Sequence, residues 1–225
     1  MKISKTSIAN FSKSNFFIPS LVILLVIVGW FFLLTIDFAE EDDSDSVSWS
    51  QKEDYIIEET SEGIFVKNEK AGLSFKVPDG WRVEMKNDNT EDLINEFWIT
   101  LLSSDAEVGT NNLLTKGCGL SVWVEFQEKQ FEYIKNEMET IRQNPENYKI
   151  NENFQKEIIK IDNHFAIKWI GKSDKTEIYE KIGQVIEIKI PVDNKIIYID
   201  ARVLPSYQEE CFRTTNDFLK TILIE

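Results

Sequence analysis

Twenty-one consecutive residues, Phe16 to Ile36, carry no charged side chain and are dominated by Leu, Val, Ile and Phe. At about 1.5 Å of rise per residue, a helix of this length reaches about 31 Å, the thickness of the hydrocarbon core of a bilayer. The stretch therefore reads as a transmembrane helix, with Pro19 in the first turn and Trp30 toward the far interface. Lys2, Lys5 and Lys13 precede it, whereas Asp37, Glu40, Glu41, Asp42, Asp43 and Asp45 follow. Positive charge stays on the cytoplasmic side, so the flanks predict a single-pass anchor in the cell membrane, with residues 1–15 cytoplasmic and the remainder extracytoplasmic. A cleaved signal peptide competes with this reading. It would have a shorter apolar run and a small-x-small site, and Ile36-Asp37-Phe38-Ala39 is not one.

All 39 acidic residues lie after Ile36, while three of the 25 basic ones precede it, so the exported part is more acidic than the net −14 of the whole chain. Such a charge argues against nucleic acid and anionic lipid surfaces as partners. Residues 37–60, with Glu40-Glu41-Asp42-Asp43 and Lys52-Glu53-Asp54, have few regularly spaced apolar positions and read as an acidic linker that holds the domain off the membrane. Residues 61–225 fit one domain. Its two cysteines, Cys118 and Cys211, lie on the oxidising side, where an even count predicts a disulfide; the competing reading is two small buried apolar side chains.

Within that domain, Ile64-Phe65-Val66, Leu73 to Val77, Trp81 to Met85 and Phe97 to Leu102 have strand character, separated by turn residues such as Pro78-Asp79-Gly80. Ser103 to Gly117 reads as a loop. Cys118 to Phe126 alternates Leu120, Val122, Val124 and Phe126 against Ser121, Trp123 and Glu125, the pattern of a strand with two distinct faces. Phe131, Ile134, Met138 and Ile141 recur at helical spacing, ended by Asn144-Pro145. Strand-rich runs follow at 154–161, 165–170, 176–182, 184–192 and 195–204. Their short links demand antiparallel pairing, since a parallel crossover needs a dozen or more residues. Gln208 to Ile224 reads as a closing amphipathic helix. The fold class is α+β: an N-terminal transmembrane helix, then an antiparallel β-sheet packed with helices.

Gly72-Leu73-Ser74-Phe75-Lys76-Val77-Pro78-Asp79-Gly80-Trp81-Arg82-Val83 resembles the opening strand, turn and Trp of the PsbP-like family, and Phe212 to Ile224 is similar to its closing helix with a late Phe-Leu pair. The resemblance runs over about residues 60–225. It implies an αβα sandwich and, from the anchored prokaryotic members, a bacterial extracytoplasmic domain of uncharacterised role.

Chemistry-bearing motifs are sparse. The single histidine, His164, lies in Asp162-Asn163-His164-Phe165 at an expected hairpin, where a solvent-facing side chain is the ordinary outcome. A zinc site would require His164, Cys118 and Cys211 to converge with a further ligand. A Cys-His enzyme of the cell envelope would suit an anchored protein, with Arg82, Arg142, Arg202 or Arg213 as an oxyanion partner, yet neither cysteine stands in a nucleophile motif. Serine-hydrolase, metalloprotease and phosphate-loop motifs do not occur, and no cofactor, metal or catalytic residue is assigned. Trp81, Trp98 and Trp169 read as core, whereas Trp123 lies on the face opposite Leu120 and, if exposed, marks a binding surface. The expected function is a non-catalytic binding or assembly module for another envelope protein. A Cys-His enzyme and a small-ligand carrier are the alternatives.

Overall fold

The computed structural model describes residues 48–88, 96–110, 113–151, 154–171 and 183–225. The apolar stretch 16–36 and the strand expected over 176–182 lie outside them; among the described residues no helix is long and apolar enough to cross a membrane.

The larger sheet is antiparallel throughout and centres on β9 (Cys118–Phe126) and β14 (Lys195–Val203). Beyond β14 come β13 (Gln184–Val192), β12 (His164–Gly171), β11 (Phe154–Ile161) and β10 (Lys149–Asn151). On its other edge β9 pairs with β6 (Glu96–Leu102), which carries β5 (Arg82–Asp88), and farther along with the short β1 (Ser48–Trp49). A second sheet holds β2 (Tyr55–Thr60), β3 (Gly63–Asn68), β4 (Leu73–Lys76) and the terminal β15 (Leu223–Ile224).

Among the described residues two α-helices pack on these sheets. Helix α1 (Glu128–Gln143) buries Ile134, Met138 and Ile141, the stripe seen in the sequence, against Ile167, Ile196 and Tyr198 of the larger sheet. Helix α2 (Gln208–Leu219) turns Cys211, Thr215, Phe218 and Leu219 inward, and the cysteine and both apolar residues join the main core, which also takes Val66, Leu73 and Phe75 from the second sheet and Leu120, Val122, Ile197 and Ile199 from the first. The central strands are thus covered on both faces over part of their length. Strand β14 records this directly: Lys195 to Ile199 are all buried, and only from Asp200 onward does burial alternate. The change marks the end of the helix cover.

Three features depart from the sequence expectations. The stretch 48–60, read as part of the linker, is folded: Trp49 pairs with β9, and Tyr55 is buried against Phe97 at 5.4 Å between rings. The closing helix stops at Leu219, because Ile224 and Leu223 pair with Leu73 and Ser74 of β4 instead of extending it. The loop 103–117 contains a small hairpin of β7 (Glu107–Val108) and β8 (Leu114–Lys116).

Cys118 and Cys211 are joined, with 5.6 Å between Cα atoms. The bridge ties β9 to α2. Just before it, Gly117 sits at φ +76°, and an added Cβ would lie 2.5 Å from Ser103 Oγ and 2.7 Å from Ala106 Cα. That Ser103 hydroxyl accepts from the Cys118 N–H at 2.9 Å and donates to Asp105 at 2.8 Å, so it has little freedom to retreat. Gly117→Ala is expected to cost about 1–3 kcal/mol, read as a lower urea midpoint with an unchanged slope; an unchanged midpoint would show that the turn relaxes freely.

Candidate functional site

Beyond the reach of α1, the outer face of the larger sheet carries a row of polar residues set by strand register. Thr100 on β6 pairs with Ser121 on β9, Ser121 with Asp200 on β14, Asp200 with Glu187 on β13, and Glu187 with Trp169 on β12. Beside this row lies a cleft of about 180 Å³, lined by Trp49, Phe97, Trp98, Trp123 and the side chains of Ser121, Asp200 and Arg202. Four elements build it: β1 and β6 bring Trp49 and Trp98 along one edge of β9, β9 itself supplies Ser121 and Trp123, and β14 supplies the charged pair.

Asp200 is the unusual member. Its Oδ1 is sealed from solvent and has no hydrogen-bond partner among the described residues, although the side chain as a whole keeps 19% of its exposure. Its other oxygen faces the Arg202 Nε at 3.7 Å, too long for a good hydrogen bond. Burial pushes the carboxyl up to about 6, opposed by the Arg202 charge and helped by Glu187. Glu187 is itself paired with Lys189 at 2.9 Å. The Trp49 Nε1–H and the Thr100 hydroxyl are likewise buried without partners among the described residues, as is the Trp169 Nε1–H farther along the row. A buried polar group left unpaired costs about 1–3 kcal/mol, so several on one face is a costly arrangement for a fold to keep.

The raised Asp200 value has a testable sign. The folded chain holds that proton more tightly than an ordinary aspartate at 3.8. Its contribution is therefore nil at low pH, where both states hold the proton, turns against the native state as the pH rises from about 4 to about 6, and remains above that as a penalty of up to about 3 kcal/mol. Urea unfolding of the wild type and Asp200→Asn at several pH values should give a difference that swings in the variant's favour as the pH rises through this window. A difference independent of pH would mean that Asp200 titrates as an exposed group.

Trp123 lies on the face opposite Leu120, where its alternation placed it, but it is half-buried: its ring stacks on Tyr198 at 5.0 Å with 5° between planes, and it packs beside α1 as well as lining the cleft. Burial, together with the neighbouring Glu125 carboxylate, raises the Tyr198 hydroxyl well above its ordinary range. Trp81, Trp98 and Trp169, read as core, are each half-buried as well, and Trp81 packs against the main core as read. Trp98 lines the cleft, and Trp169 shares a face with Glu187, so neither points into the main core.

The residues of the alternative chemistry do not come together. His164 opens β12 next to the hairpin residue Asp162, whose φ is 52°, and the two sulfurs are consumed in their bridge, so neither is a free nucleophile. Among the described residues no cluster of three or more His, Cys, Asp and Glu could hold a metal ion. Of the four arginines, Arg82 donates to the Ser103 and Ala106 carbonyls, Arg142 lies over the Phe165 ring at 4.4 Å, and Arg202 alone lines the cleft beside a carboxylate. Asp200 and Trp49 were not singled out in the sequence, and Arg202 was named there only as one of four arginines that could serve a Cys-His enzyme. The available signal was the charged pair in Ile199-Asp200-Ala201-Arg202, which breaks a strand otherwise buried on both faces.

No protein-family model matches the chain, and no curated protein does. Solved structures similar to it include PsbP of the cyanobacterium Synechocystis sp. PCC 6803, at 11% identity over 72% of this chain and 91% of that one, with a TM-score of 0.40. Another is LpqN of Mycobacterium tuberculosis, described as involved in cell envelope biogenesis, at 11% identity over 83% of this chain and 96% of that one, with a TM-score of 0.42. A PsbP thus stands among the solved structures similar to this chain.

Proposed function

We propose that the chain is a non-catalytic binding module, held at the outer face of the cell membrane by residues 16–36, whose tryptophan-lined cleft receives a segment of another envelope protein. The observation that carries this is the cleft itself: aromatic walls around the Asp200–Arg202 pair. Aromatic residues with a polar handle are the usual anchors of protein interfaces. The size of the cleft favours a partner's side chain over a free ligand, because sites that engulf a drug-sized molecule run to roughly 300–1,000 Å³. At about 180 Å³ it accommodates one anchoring group. The flanking charges of the anchor support the extracytoplasmic placement.

In-cell crosslinking of the tagged full-length protein, compared with residues 1–47 alone, tests this reading. The expected result is a discrete partner that is absent from the shorter chain and lost in Trp98→Ala. Turnover of a cell-wall or peptide substrate by the purified protein, with no such partner, would replace it by the enzyme reading.

A further inference from the structure

We infer that strand β2 is a docking edge, where an extended segment of another protein, apolar with one basic residue, adds to the smaller sheet antiparallel to β2. None of the residues of β2 lines the cleft, so this edge is a second point of contact.

The backbone offers the place. β2 is an outermost strand of the smaller sheet and pairs only with β3 among the described residues, so alternate N–H and C=O groups of Tyr55 to Thr60 point away from the sheet. Its register with β3 is unbroken, and it contains no proline and no lysine. The other outermost strands are poorly suited to pairing. β10 has three residues and a shifted register, β15 has two, and β5 sets Arg82, Glu84, Lys86 and Asp88, charges of both signs, along one face. Short length, irregularity and mixed charge all discourage a further strand. β2 has instead two glutamates of one sign, which select among strands.

Side chains mark the same edge as unfinished. On the face turned to the core, Phe75, Val66 and Ile57 stand side by side on β4, β3 and β2, with exposures of 2%, 0% and 37%. The apolar row runs out with its last member open to solvent, and a strand laid beside β2 would continue it. Ile56, on the opposite face, is 41% exposed. Two consecutive apolar residues on an incoming strand would cover both, and such cross-strand contacts are the unit by which a sheet gains stability.

Charge selects the occupant. Glu58 is held by Lys67 at 2.8 Å, whereas Glu59 is exposed with no ion-pair partner among the described residues. A Lys or Arg placed opposite Glu59 is attracted, and an acid is repelled. A second copy of this chain fits badly. Two antiparallel β2 strands overlapped along their full length would set Ile56 against Glu59 and Ile57 against Glu58, between chains that each carry a net charge of −14. The fitting segment, read along its own direction, is basic, neutral, apolar, apolar, opposite Glu59, Glu58, Ile57 and Ile56 in turn. Main-chain hydrogen bonds supply affinity in this mode of recognition, and the alternating side chains supply the choice of partner.

The test uses the full-length protein in phospholipid nanodiscs and the capped peptide Thr-Lys-Thr-Val-Ile-Thr, with amide hydrogen exchange read by mass spectrometry on the fragment holding residues 55–60. The expected result is saturable slowing of exchange in that fragment. Replacing the peptide's Lys by Glu should weaken binding about fivefold, and in Glu59→Lys the order of the two peptides should reverse. Two further peptides carry N-methyl groups at one or the other set of alternate residues. One should bind at least about tenfold more weakly and the other as before, because only one set of N–H groups faces β2. No slowing, equal binding of both N-methyl peptides, or an order of Lys and Glu peptides unchanged by Glu59→Lys would each overturn the docking edge. Slowing that appears without peptide and grows with protein concentration would put a second copy of the chain there and overturn the basic partner.

Discussion

Removing the Cys118–Cys211 bridge is expected to lower the unfolding free energy by about 4–5 kcal/mol in the chain-entropy account. The magnitude follows from the separation of 93 residues, which places nearly the whole of β9 to α2 inside the closed loop. Without the link, the unfolded chain regains the freedom to separate those ends, whereas the folded chain still packs both positions in the core, where each is almost fully buried. Cys118→Ala with Cys211→Ala is the cleaner form of the experiment, because it leaves no thiol to exchange or to demand solvation. Each 1 kcal/mol shifts the melting temperature by roughly 2–4 °C for a domain of this size, so the double variant should melt at least about 8 °C lower. A shift of less than about 2 °C would mean that the native packing of α2 holds the ends together even in the denatured ensemble.

Phe218→Ala is the second change with a large expected effect, about 3–5 kcal/mol. Phe218 is 2% exposed and meets Phe75 of β4 edge-to-face, with ring centroids 5.3 Å apart and planes at 74°. It therefore joins the closing helix to the smaller sheet. The surroundings have little means of collapsing into the space. Thr221, one turn on, accepts from the Lys76 N–H at 3.3 Å and donates to the Lys76 carbonyl at 3.2 Å, and Ile224 pairs with Leu73. Urea unfolding should show the full loss for alanine and a markedly smaller one for Phe218→Leu, which refills most of the volume. Equal losses would mean that the aromatic geometry, and not the cavity, sets the cost. Because Cys211 and Phe218 lie on the same helix, the two changes should combine non-additively.

Much of the fold is legible in the sequence because local pattern and tertiary burial agree there. Cys118 to Phe126 alternates as a strand with distinct faces, and 154–161, 184–192 and 195–204 are apolar runs with turn residues between them, which left only antiparallel pairing. Helix α1 announces itself through the Phe131 to Ile141 stripe and Pro145. What was not legible depends on partners distant in the chain. Nothing local in Leu73 to Lys76 says that it leaves the larger sheet for a second one, or that Leu223-Ile224 returns across 150 residues to pair with it. Trp49 was hidden in an acidic context whose composition suggested no fold, although a sheet edge at Glu125 was available to it. The cleft was out of reach for the same reason. Trp123 could be singled out from its alternation, but its neighbours Trp49, Trp98, Asp200 and Arg202 converge only through the register of β1, β6, β9 and β14. Asp200 looks from its neighbours like one more acid in an acidic chain; its burial is a property of the sheet.

The central claim is that the cleft is where the chain meets a partner, and the most direct measurement places a photoreactive residue in it. Full-length protein carrying p-benzoyl-phenylalanine in place of Trp98 would be irradiated in the cell, beside the same substitution at Lys220, which is exposed on the far end of α2. The account predicts one discrete adduct from position 98, absent from position 220 and abolished by Asp200→Leu. Adducts of equal yield from both positions, or none from position 98 while the protein remains folded, would contradict it.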